Sequence, residues 1–318
     1  MIDVKPQPSS KVGVIELIAA MVLSGTIGAF VLESGASPGT VVFFRCVFGA
    51  VALAIYCAVR GFFSGSGMNA AKLGLAALGG VFIVYNWTLL FAAYGSTSIS
   101  VATVVYHTQP FYVLILGALI LRERITLNKW AWMVVAFVGV ILVSGLTSGH
   151  LLGDTQYMIG IGYALGAAVL YAVATIIAKR LSGVRPHIIA LVQCVVGIPL
   201  LAPFITYSEL GDLGAGWLWL IGLGVIHTCV MYILMYSSYQ KLPTPMIAVL
   251  GFVYPVVAVI VDTTLFGTRI TLLQVLGMIL IVGASLAVSF NVGGRRKATS
   301  EAKADAAAAP LEAPAATR

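Results

Sequence analysis

The polar side chains that interrupt the apolar stretches of this chain are few and similar in kind. Tyr85 and Asn86 stand together in one stretch, and Tyr106, His107 and Gln109 stand beside Pro110 in the next. Tyr171, Gln193 and His227 follow singly, then Tyr254 beside Pro255. Each falls near the middle of its stretch. Tyrosine presents a flat face to a hydrocarbon or ring and a hydroxyl to a carboxylate or amine. Asparagine and glutamine both donate and accept. These nine residues are the candidate substrate-binding set. They suit a zwitterion with an apolar side chain better than a sugar phosphate, which calls for Lys or Arg. Pro110 and Pro255 are the candidate hinges, because each removes a backbone donor and frees a carbonyl one turn earlier. Arg45, also inside a stretch, is expected to be structural, satisfying carbonyls or snorkelling toward the outer face.

Nothing in the chain has the spacing of a catalytic cluster. There is no His-Glu-x-x-His, no paired aspartates and no phosphate loop. Cys46, Cys57, Cys194 and Cys229 lack metal-ligand spacing and read as free buried thiols. No catalytic residue, metal or cofactor is therefore expected. The candidates for proton coupling are Glu16, Glu33, Asp262 and the two mid-stretch histidines, and none is a carboxylate at the middle of a stretch. Uncoupled movement, or weak coupling through histidine, is the expectation.

The elements that position these residues must be membrane helices. Of 318 residues, 60% are hydrophobic and only 9% charged. A soluble surface of this size needs more charge than that. Ten stretches have roughly the length of a bilayer-spanning helix. They cover roughly 12–32, 38–59, 71–93, 98–121, 127–145, 157–178, 186–206, 216–239, 246–266 and 272–290. Their unbroken apolar character excludes a β-barrel, whose strands alternate. The first stretch is too long for a cleavable signal peptide. Residues 1–11 read as a cytoplasmic leader and 292–318 as a disordered cytoplasmic tail.

Charge gives the orientation. With the N-terminus in the cytoplasm, 16 of the 18 basic residues fall on the inner side, and among loop residues only Arg269 falls outside. That asymmetry is the positive-inside rule, so the net charge of +7 needs no nucleic-acid partner.

The chain also repeats itself. Tyr94–Ser144 lies on Tyr239–Ser289 without a gap, at an offset of 145 residues (239 − 94). Pro110 then falls on Pro255, and Arg124-Ile125-Thr126-Leu127 on Arg269-Ile270-Thr271-Leu272. Two five-span repeats are expected, at 12–145 and 157–291, joined by an external linker at 146–156. Five is odd, so the second repeat enters the membrane inverted. Such a pair opens one central cleft to either side by alternating access. One chain completes the cleft, so a functional monomer is expected.

Arg45, the segment Tyr94-Gly95-Ser96-Thr97-Ser98-Ile99-Ser100-Val101-Ala102, the pair Gln109-Pro110 and the turn Leu121-Arg122-Glu123-Arg124-Ile125-Thr126 together resemble the EamA-type members of the drug/metabolite transporter superfamily. The resemblance runs from about residue 12 to 291, and is nearest to bacterial amino-acid exporters of the YddG type. It implies a ten-helix carrier of the bacterial inner membrane with both termini cytoplasmic. The second copy departs from the pattern: Gly267-Thr268-Arg269 lacks the acidic residue of the turn. Export of small neutral, apolar or aromatic amino acids is the expected activity. A drug or nucleotide-sugar carrier is the alternative, and a membrane enzyme or channel the alternative of another class.

The charge split makes a direct prediction. Green fluorescent protein fused after Arg318 is expected to fluoresce, and alkaline phosphatase at the same place to be silent. The reverse pattern overturns the topology.

Overall fold

The computed structural model describes residues 11–121, 126–143, 154–242, 246–247, 250–290 and 292. The leader up to Ser10, the Arg122–Ile125 turn, residues 144–153 of the linker region and the tail after residue 292 lie outside the described residues. Among the described residues the protein is all helix, with no strand. The first half contains α1 (Lys11–Glu33), α2 (Pro38–Val59), α3 (Ala70–Ser96), α4 (Ile99–Tyr106), α5 (Gln109–Leu121) and α6 (Leu127–Val143). The second contains α7 (Thr155–Lys179), α8 (Pro186–Leu201), α9 (Gly216–Gly224), α10 (Met231–Tyr239), α11 (Val253–Leu265) and α12 (Leu272–Ser289). A π-helical turn, Val225–Val230, joins α9 to α10.

Seven of the described helical segments are long and apolar enough to cross a bilayer, counting α4–α5 and α9–α10 as one each. Leu127–Val143, Val253–Leu265 and Leu272–Val288 are apolar but shorter.

Local chemistry sets the helix ends. Pro38 and Pro186 open α2 and α8, where the missing N–H has no helical partner to lose. Asn69, Ser98 and Asp154 cap α3, α4 and α7 by accepting from backbone N–H groups. Thr271 and Gln274 form a capping box at α12.

The helix expected around Pro110 is broken there. α4 stops at Tyr106, His107 and Thr108 turn, and Pro110 sits in the first turn of α5. Around Pro255 the arrangement recurs: Gly251 and Phe252 turn, and Pro255 sits in the first turn of α11. At an offset of 145, His107 corresponds to Phe252, so the two breaks fall at equivalent places.

Contacts between helices are also reciprocal. The offset matches α1 to α7, α2 to α8, α3 to α9–α10, α4–α5 to the segment ending in α11, and α6 to α12. α3 packs on α7 as α9 and α10 pack on α1, and α4–α5 pack on α7 as α11 packs on α1. α2 meets its own counterpart α8, and α6 meets α12.

Close approach relies on glycine. A Cβ on Gly139 of α6 would stand 2.8 Å from the Gly277 carbonyl oxygen, and one on Gly277 would stand 2.6 Å from that of Gly139. A Cβ on Gly224 would meet Phe48 Cβ at 2.3 Å and Gly49 N at 2.7 Å. Gly162 and Gly166 have the spacing of a close-packing pair, yet Gly162 has nothing within 4 Å and Gly166 meets only Leu89 Cδ1 at 3.2 Å. The tight contact of α7 is at Gly160, against Ser96 and Thr97. The four cysteines are buried and unbridged.

Gly224→Val is expected to lower stability by about 1–3 kcal/mol through overpacking against Phe48. Gly162→Ala is expected to be neutral or to stabilise by up to about 1 kcal/mol through helix propensity. Thermal unfolding in detergent reads both, and equal effects would show that the α2–α9 contact is not tight.

Candidate functional site

A cavity of about 450 Å³ lies among helices of both halves. Two helix faces form much of its wall. On α3 the face carries Trp87, Phe91 and Tyr94, and on α10 it carries Tyr232, Tyr236 and Tyr239. Both sets are spaced i, i+4, i+7, which places each on one side of a helix. At the offset of 145, Trp87 falls on Tyr232, Phe91 on Tyr236 and Tyr94 on Tyr239. Each copy of the repeat thus contributes a ladder of three aromatic rings. Within the ladders, Phe91 and Tyr94 centroids are 5.9 Å apart, Tyr232 and Tyr236 5.7 Å, and Tyr236 and Tyr239 6.3 Å.

The two helix breaks form a third part of the wall. His107, Gln109 and Pro110 line it from the first break, and Gly251, Phe252 and Tyr254 from the second. The rings of His107 and Tyr254 are 5.1 Å apart. His107 Nδ1 lies 2.9 Å from the Thr103 carbonyl oxygen. The amide oxygen of Gln109 is buried with no hydrogen-bond partner among the described residues. Tyr106 and Tyr171 meet edge to face at 5.9 Å, and Gln193 adds an amide from α8.

Of the nine residues singled out by sequence, Tyr106, His107, Gln109, Tyr171, Gln193 and Tyr254 line this cavity, together with Pro110. Tyr85, Asn86 and His227 do not. Tyr85 lies two residues from Trp87, about 200° around α3, and so faces away. Asn86 is fully buried behind the wall, where its Nδ2 donates to the Ala167 carbonyl at 2.6 Å and to the Tyr106 hydroxyl at 3.3 Å. His227 is also fully buried, with Nε2 2.9 Å from Thr26 Oγ1 and its ring against Phe30. Pro255 is buried within α11 and does not reach the wall.

The wall also holds a charge. Arg45 is 2% exposed, so it does not snorkel. Its Nε donates to Thr228 Oγ1 at 3.0 Å, and its Nη2 to the His227 carbonyl at 3.3 Å. Its guanidinium carbon lies 4.1 Å from the Trp87 ring centroid and 5.6 Å from that of Phe91. The π-helical turn holds this acceptor pair in place. There Thr228 Oγ1 donates in turn to the Leu223 carbonyl at 2.9 Å. Among the described residues no Asp or Glu lines the cavity.

The cavity opens at one end. Tyr94 and Phe91 at one extreme are 2% exposed, whereas Tyr239 at the other is 41% exposed, beside exposed Ala178. The open end is thus at the C-termini of α7 and α10, near Arg180 and Lys241. At the same end Lys241 Nζ bonds Glu16 Oε1 at 2.6 Å, tying α10 to α1. Toward the closed end Asp262 is buried. It accepts from Ser100 N at 2.8 Å and Thr268 Oγ1 at 2.8 Å. There Gly28 of α1 abuts Ile99 of α4.

A polytopic helical bundle folded twice around one aromatic, one-ended cavity has the form of a membrane carrier. The chain belongs to the EamA-like transporter family, whose pattern matches residues 11–145 and again 158–290. An uncharacterized transporter of Bacillus subtilis, YxxF, is 31% identical over 301 residues, covering 93% of this chain and 96% of that protein. A probable amino-acid metabolite efflux pump of Salmonella typhimurium is 28% identical over 212 residues, 62% of this chain and 69% of that protein. One crystal structure shares the fold at a TM-score of 0.62 and 17% identity, covering 88% of this chain and 96% of that one.

The geometry separates packing residues from wall residues. Asn86→Ala is expected to cost about 1–3 kcal/mol by removing two buried hydrogen bonds, to the Ala167 carbonyl and the Tyr106 hydroxyl. Gln109→Ala, which breaks no side-chain hydrogen bond among the described residues, is expected to change stability by only ~0.5 kcal/mol. Thermal unfolding of both variants checks the order, and its inversion places Gln109 in the packing.

Proposed function

We propose that this transporter exports small amino acids with neutral, apolar or aromatic side chains across the bacterial inner membrane by alternating access. The observation that carries the reading is the cavity wall. Paired aromatic ladders from the two repeats face one space with amides and hydroxyls between them and, among the described residues, no carboxylate. Aromatic faces suit an apolar side chain, and the polar groups among them suit the charged end of an amino acid. The efflux-pump name carried by the Salmonella relative points the same way.

In this proposal the chain forms ten spans as two inverted five-helix repeats, at 12–145 and 157–291, with both termini cytoplasmic. The reciprocal helix contacts and the equivalent breaks at His107 and Phe252 support a twofold relation. An odd number of spans per repeat makes that relation an inversion. With this orientation the open end of the cavity, near Arg180 and Lys241, faces the cytoplasm, so the state described is inward-open. Tyr85, Asn86 and His227 support the site from behind, while Pro110 and Pro255 mark where the helices bend as the two ends exchange. Transport is uncoupled, or weakly coupled to protons through His107, since no acid among the described residues lines the cavity. Amino acids are concentrated inside cells, so an uncoupled carrier of this kind runs outward by mass action. The protein works as a monomer, because one chain encloses the cavity.

Purified protein in proteoliposomes is expected to take up labelled phenylalanine in exchange for unlabelled phenylalanine, and to move lipophilic cations and nucleotide sugars poorly. His107→Ala or Tyr171→Ala is expected to cut the flux about tenfold, equivalent to about 1.4 kcal/mol, without lowering the unfolding temperature. Movement of the comparators but not of phenylalanine would reassign the substrate within the same carrier class.

A further inference from the structure

We propose that Arg45 is the carboxylate anchor of this cavity, so that a free carboxylate is the feature by which the carrier selects its cargo. The inference rests on the cavity being the transport site, and it sharpens the substrate class.

The argument starts from the hydrogen-bonding capacity of the side chain. A guanidinium has five N–H donors in a rigid planar fork and keeps its charge at any physiological pH. Two hydrogen bonds are made, from Nε to Thr228 Oγ1 and from Nη2 to the His227 carbonyl. Nη1 has no hydrogen-bond partner among the described residues, and the residue lines the cavity. Both acceptors are neutral. The ion pair present among the described residues, Lys241 with Glu16, lies elsewhere. Arg45 is therefore a buried cation with no anion beside it among the described residues.

A buried charge without a counterion is costly, and inside a membrane such a group marks a substrate or ion pathway. The rings of Trp87 and Phe91 offset part of that cost by cation–π attraction from one side. They cannot accept the remaining N–H groups. A carboxylate arriving in the cavity supplies two acceptor oxygens at the spacing of the fork and neutralises the charge. The rest of the described wall carries no Asp, Glu, Lys or Arg, and it offers aromatic faces to the remainder of the substrate.

The asymmetry of the position argues the same way. The aromatic ladders are matched between the two copies, but the counterpart of Arg45 is the uncharged Gln193, since Pro38, Cys46 and Gly49 of α2 fall on Pro186, Cys194 and Gly197 of α8 at a local offset of 148 (186 − 38). A guanidinium needed only to pack a helix of this fold would be expected in both copies. One charge in an otherwise paired wall gives the substrate a single way to lie. The carboxylate lies against Arg45, and the side chain extends from it along the ladders.

The test uses the full chain and compares ligands of one shape: phenylalanine, 3-phenylpropionate, phenylalaninamide and phenethylamine. In detergent, the two carboxylates are expected to raise the unfolding temperature and the amide and amine to leave it unchanged. Binding is read here apart from transport. Loss of phenylalanine flux with this pattern intact would refute the export reading and leave the anchor standing. In proteoliposomes, 3-phenylpropionate is expected to compete with labelled phenylalanine at least about tenfold better than phenethylamine. Arg45→Gln is expected to abolish that preference, and Arg45→Lys to keep it in weakened form. The wild-type ligand series decides the matter even if Arg45→Gln does not fold. Equal binding of phenylalaninamide and phenylalanine by the wild type overturns the proposal. So does a folded Arg45→Gln protein that still prefers carboxylates, or an unfolding temperature that no carboxylate moves.

Discussion

Helices in a bilayer gain little by hiding apolar surface from one another, because lipid tails are as apolar as their side chains. What holds this bundle is close backbone approach where one partner is glycine. Gly139 and Gly277 bring α6 and α12 together, Gly224 lets α9 reach Phe48 on α2, and Gly28 lets α1 reach Ile99 on α4. These contacts lie around the cavity and leave its wall to larger residues. The rings of the two ladders occupy the central space because the helices behind them are held by small ones.

The same constraint explains where irregular backbone is found. In a membrane interior a backbone N–H or C=O must be satisfied by the protein or by a wet cavity. The breaks at His107–Thr108 and Gly251–Phe252 both border the cavity, and the π-helical turn at Val225–Val230 lies behind Arg45. Freed or displaced groups there are put to use. The His227 carbonyl takes an Arg45 proton, Thr228 Oγ1 bridges Arg45 to the Leu223 carbonyl, and the His107 carbonyl accepts from Ser285. At these three places irregular backbone thus coincides with polar groups that need partners.

Much of this was legible in the residues. Apolar stretches and the 145-residue offset locate the helices and their pairing, because both depend on composition and local pattern. The two prolines mark the breaks, because a missing N–H acts locally. Side-chain direction was harder to read. Mid-stretch position alone does not set apart Tyr85, which faces away from the cavity on α3, or His227, which the π-helical turn buries behind the wall. Trp87, Phe91 and Tyr94 escape that criterion, as do Tyr232, Tyr236 and Tyr239, because four of the six (Phe91, Tyr94, Tyr236 and Tyr239) lie near the ends of their stretches or just past them. Their shared i, i+4, i+7 spacing in both copies was the signal that would have found them. Arg45 was visible as a charge inside a stretch, but that its ring neighbours and the π-helical turn hold it at the wall is a tertiary fact.

The π-helical turn also bears on the phasing of the helix that contains it. A π turn is equivalent to one extra residue in an α-helix, so the segments on either side of it are out of step by one position. Met231–Tyr239 presents its ladder to the cavity only in that shifted phase. Removing one residue from Val225–Val230 would leave a continuous, equally apolar α-helix and delete no ring. It would nonetheless rotate Tyr232, Tyr236 and Tyr239 together by about 100° relative to α9, away from the space they enclose. The character of the cavity is therefore encoded in the count of residues between Gly224 and Met231 as much as in their identities.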